Sequence, residues 1–141
     1  MRVILLIIIG LSLLHAELTR DSATSVVSDS VSSLQWQDDV IGSTIAWQSA
    51  IDRCENLVLG GQSDWRLPNI NELKTIIDRS RANPAIAMAF THTQTSSSYY
   101  WSSTTNENYK NNAWYVYFGR GAVNNGNKSN NYYVRCVRAG Q

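Results

Sequence analysis

The stretch SDWRLPNINEL, residues 63–73, holds an acid, an indole and a guanidinium side by side, then a Leu-Pro stop. Trp65 and Leu67 stand two apart on the way out of the pair Gly60-Gly61, the spacing of a short extended segment with one buried side. Pro68 blocks a helix from propagating backwards. Asn69 is a good N-cap, and Glu72 follows three residues later in capping-box position. Ile70, Leu73, Ile76 and Ile77 then supply an apolar stripe, which predicts a helix over residues 70–79. Asp64 and Arg66 are expected to satisfy local backbone or each other. The stretch therefore reads as a structural corner, and ligand-binding residues are to be sought elsewhere.

Upstream, residues 42–61 read as a helix, with Ser43 or Thr44 as N-cap and the two glycines as its stop. Trp47, Ala50, Ile51, Cys54 and Leu57 fall on one face, which points Cys54 into the core. Leu34 and Trp36 alternate as in a short strand. Residues 17–33 are rich in Ser, Thr, Asp and Val without periodicity and read as an N-terminal arm or linker. Residues 1–16, MRVILLIIIGLSLLHA, carry one basic residue and a short apolar run, the pattern of a secretory signal peptide cleaved near Ala16. An uncleaved membrane anchor is the alternative. No Cys follows the run, so a lipoprotein anchor is not indicated. The expected location is outside the cytoplasm: periplasmic, cell-surface or secreted. In that oxidising setting the even pair Cys54 and Cys136 defaults to a disulfide, and two lone Cys without a His partner make a poor metal site.

Downstream the composition changes. All seven tyrosines lie between residues 99 and 133, and nine asparagines lie between Asn106 and Asn131. YYWSS (99–103), AWYVYF (113–118) and YYVRCVR (132–138) are strand-like, with polar turns between them. Trp101 and Trp114 are expected in the core. Helices followed by a run of antiparallel strands make an α+β domain, placed at residues 34–141.

The motifs CENL (54–57), LGG (59–61), SDWRLPN (63–69), NPAI (83–86), YYWSSTT (99–105), AWYVYF and YYVRCVR, in this order, resemble the Lcl C-terminal domain family. That domain ends the Legionella collagen-like adhesins and occurs in many exported bacterial proteins. The resemblance implies a C-type lectin-like fold, similar to that of formylglycine-generating enzymes: two helices packed on a small twisted antiparallel sheet with long polar loops. It also implies a disulfide from a helix to the last strand, which Cys54 and Cys136 match. The collagen-like adhesins are associated with attachment to sulfated glycosaminoglycans. Their Gly-X-Y repeats are missing from this chain, so a trimeric stalk is not implied.

Charge and chemistry point toward binding rather than catalysis. Residues 17–98 hold six basic and ten acidic side chains, whereas residues 99–141 hold five basic and one acidic, Glu107. The C-terminal third is thus a positively biased surface suited to an anionic partner. Beyond the leader the chain has one His, His92, and no pattern places a His-acid pair beside its many serines. No cofactor motif or metal-spaced cluster appears, so no cofactor, no metal and no catalytic residue is expected. A nucleic-acid partner and a stable membrane span after signal cleavage are not expected either. Tyr and Asn together make an adaptable, low-entropy contact surface, and Lys and Arg add attraction to sulfate or carboxylate. The candidate ligand-binding residues are Tyr109, Lys110, Asn112, Arg120, Asn125, Lys128 and Arg135. The expectation is an adhesin-like module recognising an anionic glycan or surface ligand through these loops. The alternative is a structural or assembly domain of the bacterial cell envelope that docks a protein partner.

Overall fold

A computed structural model describes residues 17–140; the expected leader lies outside them. The strands are β1 (Leu18–Asp21), β2 (Val26–Asp29), β3 (Leu34–Gln37), β4 (Tyr99–Thr105), β5 (Asn112–Tyr117), β6 (Ala122–Asn127) and β7 (Val137–Ala139). Two short helices, α1 (Trp47–Glu55) and α2 (Ile70–Lys74), lie between β3 and β4. The domain is α+β as expected, but mostly sheet. The strands form two antiparallel sheets, ordered β1-β2-β3-β7 and β4-β5-β6, in place of one small sheet.

Residues 17–33 correct the sequence reading most. They are not an arm: they form β1 and β2, which complete the four-stranded sheet. The signal was missed because β2 shows no alternation. Val27 packs with Trp36, Leu73 and Phe90 in one core cluster, while its neighbour Val26 packs with Cys54, Trp65 and Leu67 in a second. A four-residue strand with both faces buried carries no period for a pattern to detect.

The first helix is shorter at both ends than its sequence suggested. Ile45 is drawn into a bridge with Tyr132, each N–H donating to the other's carbonyl at 2.9 and 3.1 Å, so the helix begins only after it. Its N-cap is Ala46, without a side-chain cap, in place of Ser43 or Thr44. The Trp47 N–H instead donates to the Lys128 carbonyl. The apolar face is as expected: Ala50 and Cys54 are buried, and Trp47, Ile51 and Leu57 pack beside them. Gly60 and Gly61, both at positive φ, form the turn that bridges Leu59 to Gln62. The second helix has the expected capping box, with Asn69 Oδ1 accepting from the Glu72 N–H and Glu72 Oε1 accepting from the Asn69 N–H. It stops at Lys74 because Ile77 pairs with Ile86 across the 78–85 turn.

Cys54 and Cys136 are bonded, tying α1 to the segment entering β7. That segment, expected as one strand over 132–138, instead stitches the two sheets together. Tyr132 bridges Ile45, Tyr133 bridges Tyr100, and Val137 bridges Arg66 while pairing with Trp36. Trp101 lies in the core as expected, whereas Trp114 is only half-buried.

The opening motif is the corner where these pieces meet. Trp65 and Leu67 are buried, and the Trp65 indole N–H donates to the carbonyls of Leu59 and Gln62. Asp64 and Arg66 do not pair with each other, although the Asp64 carboxylate does accept from its own backbone N–H. Arg138 donates to Asp64 at 2.6 Å, and Arg66 grips Glu72 with two bonds of 2.7 and 2.6 Å. Trp65→Ala is expected to cost about 3 kcal/mol, the low end for an aromatic truncation, because the site borders an open cleft into which water can follow. Arg120→Ala, at an exposed turn, is expected to stay within about 0.5 kcal/mol. Urea denaturation of both variants checks the contrast.

Candidate ligand-binding surface

The three-stranded sheet divides the candidate residues between its two ends. At one end the β4–β5 loop folds onto itself: the Asn106 N–H donates to the Asn112 carbonyl and the Asn112 N–H to the Tyr109 carbonyl. Tyr109 is left 67% exposed at the tip, with Lys110 exposed beside it. The end of β6 is fastened alongside, through the Lys128 N–H donating to the Asn111 carbonyl. Asn112 Nδ2 donates to Asn125 Oδ1 across the strands at 2.8 Å, so these two amides serve partly to hold each other. The Lys128 ammonium donates to Thr105 Oγ1 at 2.8 Å and sits 4.0 Å above the Trp47 ring. An ammonium has three donors, so this one is positioned with capacity to spare. Tyr109, Lys110, Asn112, Asn125 and Lys128 thus form one surface.

Arg120 lies at the opposite end, in the β5–β6 turn, stacked at 6.0 Å over Tyr117. It joins residues that the sequence did not flag. The 78–85 segment runs beside this turn, with the Asn83 N–H donating to the Gly119 carbonyl. Gly121 is packed so tightly that a Cβ there would lie 2.7 Å from Ile77 Cγ2 and 3.3 Å from Arg79 Cγ. Arg79 and Arg81 are exposed on that segment, and among the described residues neither they nor Arg120 form an ion pair. No spacing could reveal this, because the two segments meet only in the fold.

Arg135 must be withdrawn from the surface. It is 3% exposed, donates to the carbonyls of Gln37 and His92, to Asp38 Oδ1 and to Thr93 Oγ1, and lies over Phe90. On the strand-like run YYVRCVR it falls on the same side as Tyr133 and Val137, which face the first core cluster, while Tyr132, Val134 and Cys136 face the second. Its partner Asp38 also accepts from Arg20 Nε, from the backbone N–H groups of Thr91 and His92, and from the Thr91 hydroxyl. This is a buried structural hub. The His92 imidazole stands 3.8 Å from it.

Between the two ends, four half-buried tyrosines line one side of the sheet. Tyr99 stacks on Tyr117 with centroids 4.7 Å apart and meets Tyr115 edge-on at 5.4 Å; Tyr132 contacts both Tyr99 and Tyr115. Burial, and then the neighbouring Tyr132 and Tyr99, hold the Tyr115 hydroxyl above its ordinary pKa, so it stays a neutral donor. Ser102 is buried and its hydroxyl donates to the Trp114 carbonyl. Among the described residues no group of three His, Cys, Asp or Glu side chains is placed to hold a metal ion, and no helix is long and apolar enough to cross a membrane.

Fold and surface together define a small disulfide-tied α+β domain with an amide-, tyrosine- and cation-bearing sheet end. The chain belongs to the Lcl C-terminal domain family, whose sequence model matches residues 25–138. That span begins inside the segment expected as an arm and takes in β2. A search of curated proteins returned no match.

Proposed function

We propose that this chain is an exported, non-catalytic binding module that attaches to a sulfated or otherwise anionic glycan. The carrying observation is the convergence of Tyr109, Lys110 and Lys128 on one sheet end whose only nearby acid in the sequence is Glu107. Lys128 is held over Trp47, so its charge is positioned before a ligand arrives and little ordering entropy remains to be lost. Tyr109 offers a flat ring against a sugar face and a hydroxyl beside it. Family membership supports the adhesin-like reading, and the disulfide suits an oxidising compartment.

Lys110→Ala is expected to weaken retention on an immobilised sulfated polysaccharide about three- to tenfold, the effect of one exposed charge-assisted contact, without changing the melting temperature. Arg120→Ala, at the far end of the sheet, is expected to weaken it less. Equal retention of wild type and both variants would remove the surface from consideration. A single stoichiometric protein partner, co-purified without any glycan signal, would favour an assembly domain instead.

A further inference from the structure

A cleft of about 370 Å³, sharing no lining residue with the sheet-end surface, lies between the β1–β2 turn, the Leu59–Gln62 turn and β3. That volume falls within the range of small-ligand sites. Its walls depend on two tight turns meeting. Gly60, at φ 59°, lies so close to the β1–β2 hairpin that a Cβ would approach Val26 Cγ2 to 3.2 Å. The lining is mainly polar, with edges of Trp65, Val26 and Leu59 as its smaller apolar part. Arg138, 6% exposed, lines the cleft and is fixed by Asp64, Gln35 and Gln62.

The remaining hydrogen-bonding capacity is mixed. The Gln62 carboxamide uses its oxygen on Arg138, which leaves its two N–H donors open. Ser28 Oγ accepts from Gln35 and keeps its own hydrogen, whereas Thr24 Oγ1 donates to Asp21 and keeps acceptor capacity. Free donors and a free acceptor therefore line the same cleft, which suits hydroxyl groups that both give and receive hydrogen bonds. The charge argues against an anion. Arg138 is matched by Asp64, and Asp21, another lining residue, adds a carboxylate.

We infer that this cleft is a second ligand site, for a neutral pyranose or similar polyhydroxylated unit, separate from the cationic sheet end. Its occupant is defined by hydroxyl geometry and by rejection of sulfate.

The test is an NMR titration of isotopically labelled protein with neutral methyl glycosides and with a sulfated monosaccharide. The Trp65 indole N–H and the Gln62 side-chain amide are the reporters. The expected result is a saturable shift of both by at least one neutral glycoside and none by the sulfated sugar. Gln62→Leu and Thr24→Val should each weaken the response about tenfold, the loss of one well-formed hydrogen bond, while Lys110→Ala leaves it unchanged. Gln62 is exposed, so its variant keeps the test informative if Thr24→Val disturbs the hairpin. No shift with any neutral glycoside, an equal response in Gln62→Leu, or a preference for the sulfated sugar would overturn the inference.

Discussion

Replacing Asp38 by alanine is expected to destabilise the domain by about 4 kcal/mol, as breaking one side of a buried ion pair does. The carboxylate is 1% exposed and binds Arg20 on β1, Arg135 before β7, and Thr91 and His92 on the connection to β4. Its removal leaves the Arg135 guanidinium buried without its counter-charge. Replacing both members of the pair, by Asp38→Asn with Arg135→Met, should cost less than the sum of the two single changes. Burial by itself would raise the Asp38 pKa. Hydrogen bonds from Thr91, Arg20 and His92, with the charge of Arg135, outweigh it and lower the value from 3.8 to about 2. The sign follows. A depressed carboxylate pKa contributes stability above the unfolded value and loses it as pH falls through the folded one. About 2.5 kcal/mol should therefore disappear between roughly pH 4 and pH 2. Urea midpoints across that window check it: the wild type should lose this increment and Asp38→Asn should not.

Removing the disulfide, by Cys54→Ala with Cys136→Ala, is expected to cost about 4 kcal/mol. The bond spans a sequence separation of 82 residues, so it restricts the unfolded chain strongly. It also fastens α1 to the segment that stitches the two sheets together. Both sulfurs are fully buried among Ala50, Trp65, Trp101 and Ala113, so the alanines add a small void to the entropic loss. Thermal melts of the double variant and of the reduced wild type should agree closely. A wild type whose melting is indifferent to reductant would contradict the assignment.

The sequence was most informative where a local rule has a local cause. The Asn69–Glu72 capping box, the apolar face of α1, and the alternation of Trp65 with Leu67 all depend on neighbours within a few residues, and each is present. It was least informative where tertiary pairing overrides local preference. Ile45 leaves α1 for Tyr132, and Val26 and Val27 serve opposite clusters, so neither displays a period. Arg135 illustrates the same limit for the binding surface. Its charge suggested exposure, but four oxygen acceptors, one each from Gln37, Asp38, His92 and Thr93, make burial tolerable. Lys110 and Tyr109 were legible because hairpin tips are exposed by construction. The meeting of Arg120 with Arg79 and Arg81 was not, since it is made only by the fold.

Glycan attachment through the sheet end is tested most directly by retention of the protein on an immobilised sulfated glycosaminoglycan at low and at physiological salt. Retention at low salt should fall steeply as salt rises, because exposed charges are screened within about 8 Å at physiological ionic strength. Lys110→Ala combined with Lys128→Ala should abolish most of it while leaving the fold intact. Retention that ignores salt, or that survives the double substitution, would contradict this assignment, as would no retention even at low salt.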